Sequence, residues 1–215
     1  MNHSINLFPL FAKNLCVGNL GCEFFEIDII QKIVKKEKFQ DLNNVKDEYI
    51  RGDNLCETSS SYYILEHDAF LFLKDKLLKY INEFFKKTLH YDKNKFVITT
   101  SWISKTSPNK ESHWHNHNNC YYSGVYYVDV HKNCGDILFN TFTPDFFALE
   151  ASKTNQYNSR MFSIPVENDR IILFPSQIYH KISKNNSNKD RYCIAFNIMP
   201  VGKIGTNDSC LIYNL

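Results

Sequence analysis

Apolar positions change their spacing part-way along this chain, and the change divides it into a helical region and a strand-rich region. From Phe24 to Val34 the apolar residues 24, 27, 30, 33 and 34 recur at helical steps, and the lysines that follow suit the negative end of a helix. A second run, Phe70, Leu73, Leu77, Tyr80, Ile81, Phe84 and Phe85, predicts a longer helix reaching about Lys87, with Asp68 as its cap. Asn6 to Phe11 reads as a short edge strand, since Pro9 lacks the donor that a central strand needs. Residues 40–61 are polar and unpatterned, which predicts a loop.

After Tyr91 the pattern shortens to strands: 95–104, 120–130, 136–142, 161–165, 169–174 and 191–199. Polar turns such as Ser107-Pro108-Asn109 and Asn133-Cys134-Gly135 separate them, as in a sandwich or barrel. No repeat or linker interrupts the chain. The expected fold class is therefore α+β, mainly β: a jelly-roll with N-terminal buttressing helices in one domain, 1–215. Within it, 1–94 forms the helical buttress, 95–200 the core and 201–215 a tail.

Composition narrows the function. With 25 basic and 23 acidic side chains, the net charge of +2 gives no nucleic-acid or membrane signal. The seven cysteines are scattered and odd in number, with no CxxC pair, which suits reduced, mostly buried thiols rather than a disulfide frame or a zinc ribbon. With no signal segment at the start and no apolar run of about 18 residues, a cytoplasmic protein is expected.

The chemistry concentrates in His113-Trp114-His115-Asn116-His117. Residues two apart on an extended segment point to the same side, so two of these imidazoles can reach one metal ion. A third would come from His180, at the end of the apolar run that starts at Ile171. Three imidazoles on one side of a borderline metal leave positions open for oxygen or substrate. His113 competes with His117 by spacing, and Asp136 is a second alternative, as a carboxylate on a neighbouring strand. Arg191 opens the last strand and is suited to a bidentate pair with a carboxylate. Asn197 shares its parity, and Tyr127 shares that of Tyr121, Ser123 and Val125.

Five pieces carry a resemblance: Trp114 to Asn119, Ser123 to Val128, Gly135 to Phe139, Ile172 through His180, and Arg191 to Asn197. In order and spacing they resemble the iron(II)- and 2-oxoglutarate-dependent oxygenases, most closely a family common in phages and marine bacteria. The resemblance implies a double-stranded β-helix with a metal at one mouth, held by His115, His117 and His180. His117 stands where the wider superfamily has an aspartate or glutamate, and the closest family shares the histidine. A neutral imidazole there leaves bound iron one unit more positive.

The resemblance further implies that Arg191 and Tyr127 hold the distal carboxylate of 2-oxoglutarate, with Asn197 as a further lining group. The expected activity is a dioxygenase that consumes oxygen, releases succinate and carbon dioxide, and hydroxylates a C–H bond. Two alternatives stand beside it: a three-histidine, cupin-type dioxygenase without 2-oxoglutarate, and a non-catalytic metal-binding jelly-roll. The substrate, small molecule or peptide, and any homo-oligomer are not readable from the sequence. The loop 40–61 and the insertion 144–160 are the expected places for substrate contacts.

Overall fold

A computed structural model describes residues 12–40, 55–142 and 149–214. The expected edge strand at 6–11 lies outside the described residues, as do 41–54 of the polar loop and 143–148 of the insertion. Two helices, α1 (Phe24–Val34) and α2 (Leu71–Glu83), lie against one face of a large antiparallel sheet. The bounds of α1 are those its apolar spacing predicts. Helix α2 begins later than expected: Asp68 opens a 3-10 turn (Asp68–Phe70), and the residue at the helix boundary is Phe70. A π-helical turn, Phe84–Thr88, extends it. That widened turn lets both Phe84 and Phe85 face the core, where Phe85 stacks on Phe96.

The large sheet contains β1 (Cys16–Asn19), β2 (Glu57–Thr58), β3 (Lys95–Thr106), β4 (Tyr122–Asp129), β7 (Arg170–Pro175), β9 (Arg191–Ile204) and β10 (Leu211–Tyr213). Its order is β1-β7-β4-β9-β3-β2, with β10 paired to β9. A small sheet, β6-β5-β8, comprises β5 (Ile137–Asn140), β6 (Met161–Ile164) and β8 (Tyr179–Ile182). Strands β1, β2, β8 and β10 were not apparent in the sequence, and β2 shows that the polar stretch 40–61 is not wholly loop. The large sheet thus draws strands from all three expected regions.

Alternation decides which side chains serve which layer. On β4, Tyr122, Tyr126 and Val128 join the helices, whereas Val125 and Tyr127 face inward. On β9, Tyr192, Ile194, Phe196 and Ile198 join the helices, while Cys193 and Ala195 face inward. Gly124 sits on the helix side, where a Cβ would come within 2.2 Å of the Phe196 ring and no side chain fits. On β3 the pairing shifts between Ile98 and Thr100, which gives β3 one residue more than β9. Phe96 and Ile98 therefore share a face with Ile103 rather than with Thr100 or Trp102.

The two sheets meet across an inner core. Val125, Tyr127, Ile172, Phe174, Cys193 and Ala195 of the large sheet pack with Ile137, Phe139 and Ile164 of the small one. This two-sheet arrangement is of jelly-roll type. The seven cysteines are free thiols, but only Cys134 and Cys193 are buried, the others being partly buried or, for Cys210, exposed.

Candidate metal centre

The run from Ile171 to His180 is not one strand. Strand β7 ends at Pro175, and a short turn carries the chain to β8 in the other sheet, so His180 belongs to the small sheet. There it pairs with His115 through two reciprocal backbone hydrogen bonds, His115 N to His180 O at 3.0 Å and His180 N to His115 O at 2.9 Å. His117 is fixed through its own N–H, which donates to the Ser176 carbonyl at 3.0 Å. Backbone bonds thus aim three side chains at one point before any side-chain contact is made.

One ligand atom from each of His115, His117 and His180 lies within 4.8 Å of the others, and they form the group among the described residues able to hold a metal ion. The Nε2 atoms of His117 and His180 are 3.3 Å apart. Nδ1 of His115 lies 2.9 Å from the His113 carbonyl and Nδ1 of His180 lies 3.1 Å from the Ile178 carbonyl. A carbonyl only accepts, so each Nδ1 carries the proton and each Nε2 presents a lone pair to the shared centre. Burial, reinforced by the neighbouring imidazoles, pushes His117 down to about 4 and His180 to about 3. Burial also lowers His115, although part of that residue remains open to solvent. At neutral pH all three are uncharged, the state that binds a metal.

The two alternatives lie elsewhere. His113 is exposed and contributes its backbone carbonyl to His115. Asp136 accepts a hydrogen bond from Ser163 at 2.9 Å and is not part of the histidine group.

A cavity of about 180 Å³ opens beside the histidines, lined by residues that include Cys56, Trp102, Ser104, Ser123, Tyr127 and Phe174. A larger open hollow of about 840 Å³ lies between residues 130–136 and 165–168, but it shares no lining residue with the histidine site. Convergent ligand groups identify a site better than size does, so the smaller cavity is the candidate.

Arg191 and Tyr127 are completely buried, and the guanidinium lies 5.1 Å from the Tyr127 ring centroid. Nε and both terminal nitrogens of Arg191 have no hydrogen-bond partner, nor does the Tyr127 hydroxyl. Arginine remains charged in proteins, and a buried charge left without a counter-ion costs several kcal/mol. Burial pushes the Tyr127 phenol up, against the opposing pull of Arg191, so it remains a protonated donor. Together they make a cationic cradle that fits a carboxylate.

Asn197 occupies a different position. Its amide donates to Thr100 Oγ1 at 2.9 Å and its oxygen accepts from Ser123 Oγ at 3.1 Å, while Ser123 also contacts Ser176 Oγ at 2.9 Å. Ser123 lines the cavity, so Asn197 acts on it through Ser123. Tyr121 departs from the expected parity. It precedes β4 and packs with Phe85 and Phe96 on the helix side. Trp102, 5.5 Å from the His117 ring, was not singled out in the sequence, because the irregular pairing of β3 hides which face it takes.

Two facing antiparallel sheets of jelly-roll type thus bring together three imidazoles able to hold a metal ion and bury an unpartnered arginine. Residues 100–197 match the model of the family described as "Putative 2OG-Fe(II) oxygenase", which makes this segment similar to that family over a little under half of the chain. No curated protein sequence matches the chain.

Among solved structures, HygX from Streptomyces hygroscopicus, with nickel, 2-oxoglutarate and hygromycin B bound, is similar at a TM-score of 0.61 and 10% identity. The match covers 87% of this chain and 83% of that one. A prolyl-4-hydroxylase from Pseudomonas putida gives 0.55 at 9% identity, covering 86% and 92%. A prolyl hydroxylase from Trichoplax adhaerens, in complex with a hypoxia inducible factor peptide fragment, gives 0.53 at 15% identity, covering 86% and 83%. At such low identity these similarities speak to the fold.

Proposed function

We propose that this protein is an iron(II)- and 2-oxoglutarate-dependent dioxygenase that hydroxylates a C–H bond of its substrate with release of succinate and carbon dioxide. His115, His117 and His180 would hold the metal, and Arg191 with Tyr127 would hold the far carboxylate of 2-oxoglutarate. The observation that carries this reading is the buried Arg191, whose three nitrogens are unpartnered on the inner side of the same fold as the imidazole group. When bound, iron with 2-oxoglutarate supplies the oxygen-activating chemistry. The chain's own contribution is binding and orientation. The backbone carbonyls of His113 and Ile178 hold the Nδ1 protons of His115 and His180, which fixes both rings.

The inner wall of Val125, Phe139, Ile172 and Phe174 excludes water around the cradle and strengthens the attraction of Arg191 for an anion. Asn197 would orient Ser123 at the cavity wall. A ligand set of three neutral imidazoles fits a divalent borderline metal, and it leaves the site one charge more positive than a set with one carboxylate.

A three-histidine enzyme without 2-oxoglutarate would use the same ligands. It gives Arg191 no counter-ion, and for that reason it ranks second. A metal-binding module without catalysis has the same difficulty.

The test is anaerobic addition of iron(II) and then 2-oxoglutarate, followed by visible spectroscopy. The expected result is a charge-transfer band that requires both. Arg191→Ala should keep iron and lose 2-oxoglutarate affinity by about tenfold to a hundredfold, because each hydrogen bond to a charged group contributes about 1.5–3 kcal/mol. Iron binding without any 2-oxoglutarate response would favour the direct-binding enzyme or the metal-binding module.

A further inference from the structure

The cavity beside the histidines has no negative charge on its wall. Among the described residues that line it, which include Thr58, Trp102, Ser104, Ser112 and Ser123, none is an aspartate or glutamate. Its two thiols stay protonated at neutral pH, because burial raises Cys56 and pushes Cys193 up to about 11. Tyr127 is likewise a neutral phenol. Carboxylates close by in the chain are engaged elsewhere. Glu57 pairs with Lys105 at 3.2 Å, and both alternate with Thr58 and Ser104, which places them on the other face of the sheet from the cavity. Asp190 also reaches Lys105, at 3.8 Å, and Glu111 pairs with Lys181 at 3.0 Å.

The charges that do converge here are positive. Arg191 is buried without a partner, and the three imidazoles are neutral when they hold a metal. A divalent metal and Arg191 together carry three positive charges, whereas 2-oxoglutarate brings two negative ones. One positive charge is left over, beside a wall of Val125, Phe139, Ile172 and Phe174 that screens it poorly. A carboxylate in place of His117 would cancel it, and no side chain of the cavity wall does so instead. The centre is open to an incoming group, since His115 is exposed.

We propose that the site receives a singly charged anionic group beside the imidazoles, in addition to 2-oxoglutarate, with a substrate carboxylate or a free halide as its source. The proposal rests on the dioxygenase reading and adds the charge of the second ligand. A neutral group in the same place would leave the excess positive charge unmet.

The experiment uses the full chain loaded with cobalt(II) and saturated with 2-oxoglutarate. Sodium chloride, sodium butyrate and butyramide are titrated separately at constant ionic strength, with the visible cobalt spectrum and calorimetry as readouts. The expected result is saturable anion binding, with butyrate bound at least about tenfold more tightly than butyramide. Butyrate tighter than chloride identifies a substrate carboxylate as the source, and the reverse order identifies a free halide. His117→Asp, which restores a carboxylate to the ligand set, should keep cobalt and 2-oxoglutarate and lose the preference for butyrate over butyramide. If that variant fails to hold cobalt, the comparison of butyrate with butyramide on the unaltered protein decides alone. No anion binding, equal binding of butyrate and butyramide, anions that only displace 2-oxoglutarate, or a cobalt-loaded His117→Asp protein that keeps the preference would overturn the proposal. A protein that prefers butyrate yet binds no 2-oxoglutarate would keep the anion site and refute the dioxygenase reading, so the two failures are distinguishable.

Discussion

The two faces of the large sheet are built to opposite specifications. On the helix side, Tyr126, Ile194, Phe196 and Ile198 are buried against α1 and α2 in an almost wholly apolar layer. On the inner side, the same strands bury Arg191 and Tyr127, four of whose polar atoms have no partner. The first face lowers the energy of the folded chain, whereas the second leaves groups unsatisfied, as the proposed carboxylate site requires. Adjacent residues of one strand, Arg191 and Tyr192, thus belong to different physical programmes.

That contrast can be broken by substitution, and the largest effect is expected on the helix side. Phe196→Ala removes a fully buried ring and should destabilise the protein by about 3–5 kcal/mol in urea denaturation. The fraction that remains folded should bind metal as the unaltered protein does.

The next effect is that of pH on the metal-free protein. Folded His117 and His180 stay neutral down to about 4 and about 3, whereas the unfolded chain protonates them near 6.5. The unfolded state binds more protons across that interval, so stability falls as pH drops below about 6.5 and levels off only beneath the folded values. Each proton contributes a slope of about 1.4 kcal/mol per pH unit. Urea midpoints between pH 7 and 4.5 should show a slope approaching two protons, and His180→Phe should remove about one of them.

Arg191→Met sharpens the comparison by moving stability and function in opposite directions. An apolar side chain in place of an unpartnered buried guanidinium should stabilise the ligand-free protein by about 1–3 kcal/mol. It should also abolish 2-oxoglutarate binding. A variant that lost stability would mean that Arg191 holds the fold rather than a ligand. The smallest effect belongs to Tyr127→Phe, which removes one neutral hydroxyl and should weaken 2-oxoglutarate binding by about 0.5–1.5 kcal/mol, measured by calorimetry.

Much of this was legible in the sequence because alternation and helical spacing record which face of an element is buried. Helix α1 follows from that rule alone, whereas the shared parity of Ser123, Val125 and Tyr127 leaves open which face is inward, because β4 is buried on both sides. The three histidines could be grouped by spacing and resemblance, and the backbone hydrogen bonds between His115 and His180 supply the reason that they converge. Partnership across strands leaves no local trace. Nothing in Ile171 to His180 signals that the run divides between two sheets. The short strands β1 and β2 owe their conformation to pairing with β7 and β3, and the engagement of Asn197 with Ser123 and Thr100 depends on register.

The reciprocal backbone pairing of His115 with His180 also has a kinetic meaning. His117 and His180 are 63 residues apart, so their ligand atoms meet only when a long loop has closed and the two sheets have docked. Packing of the helix layer closes loops at least as long, Gln31 and Val128 being 97 residues apart, but it does not involve the small sheet. During refolding, capture of a metal ion would therefore report the docking of the two sheets, an event that burial of the tyrosines on the helix side does not report.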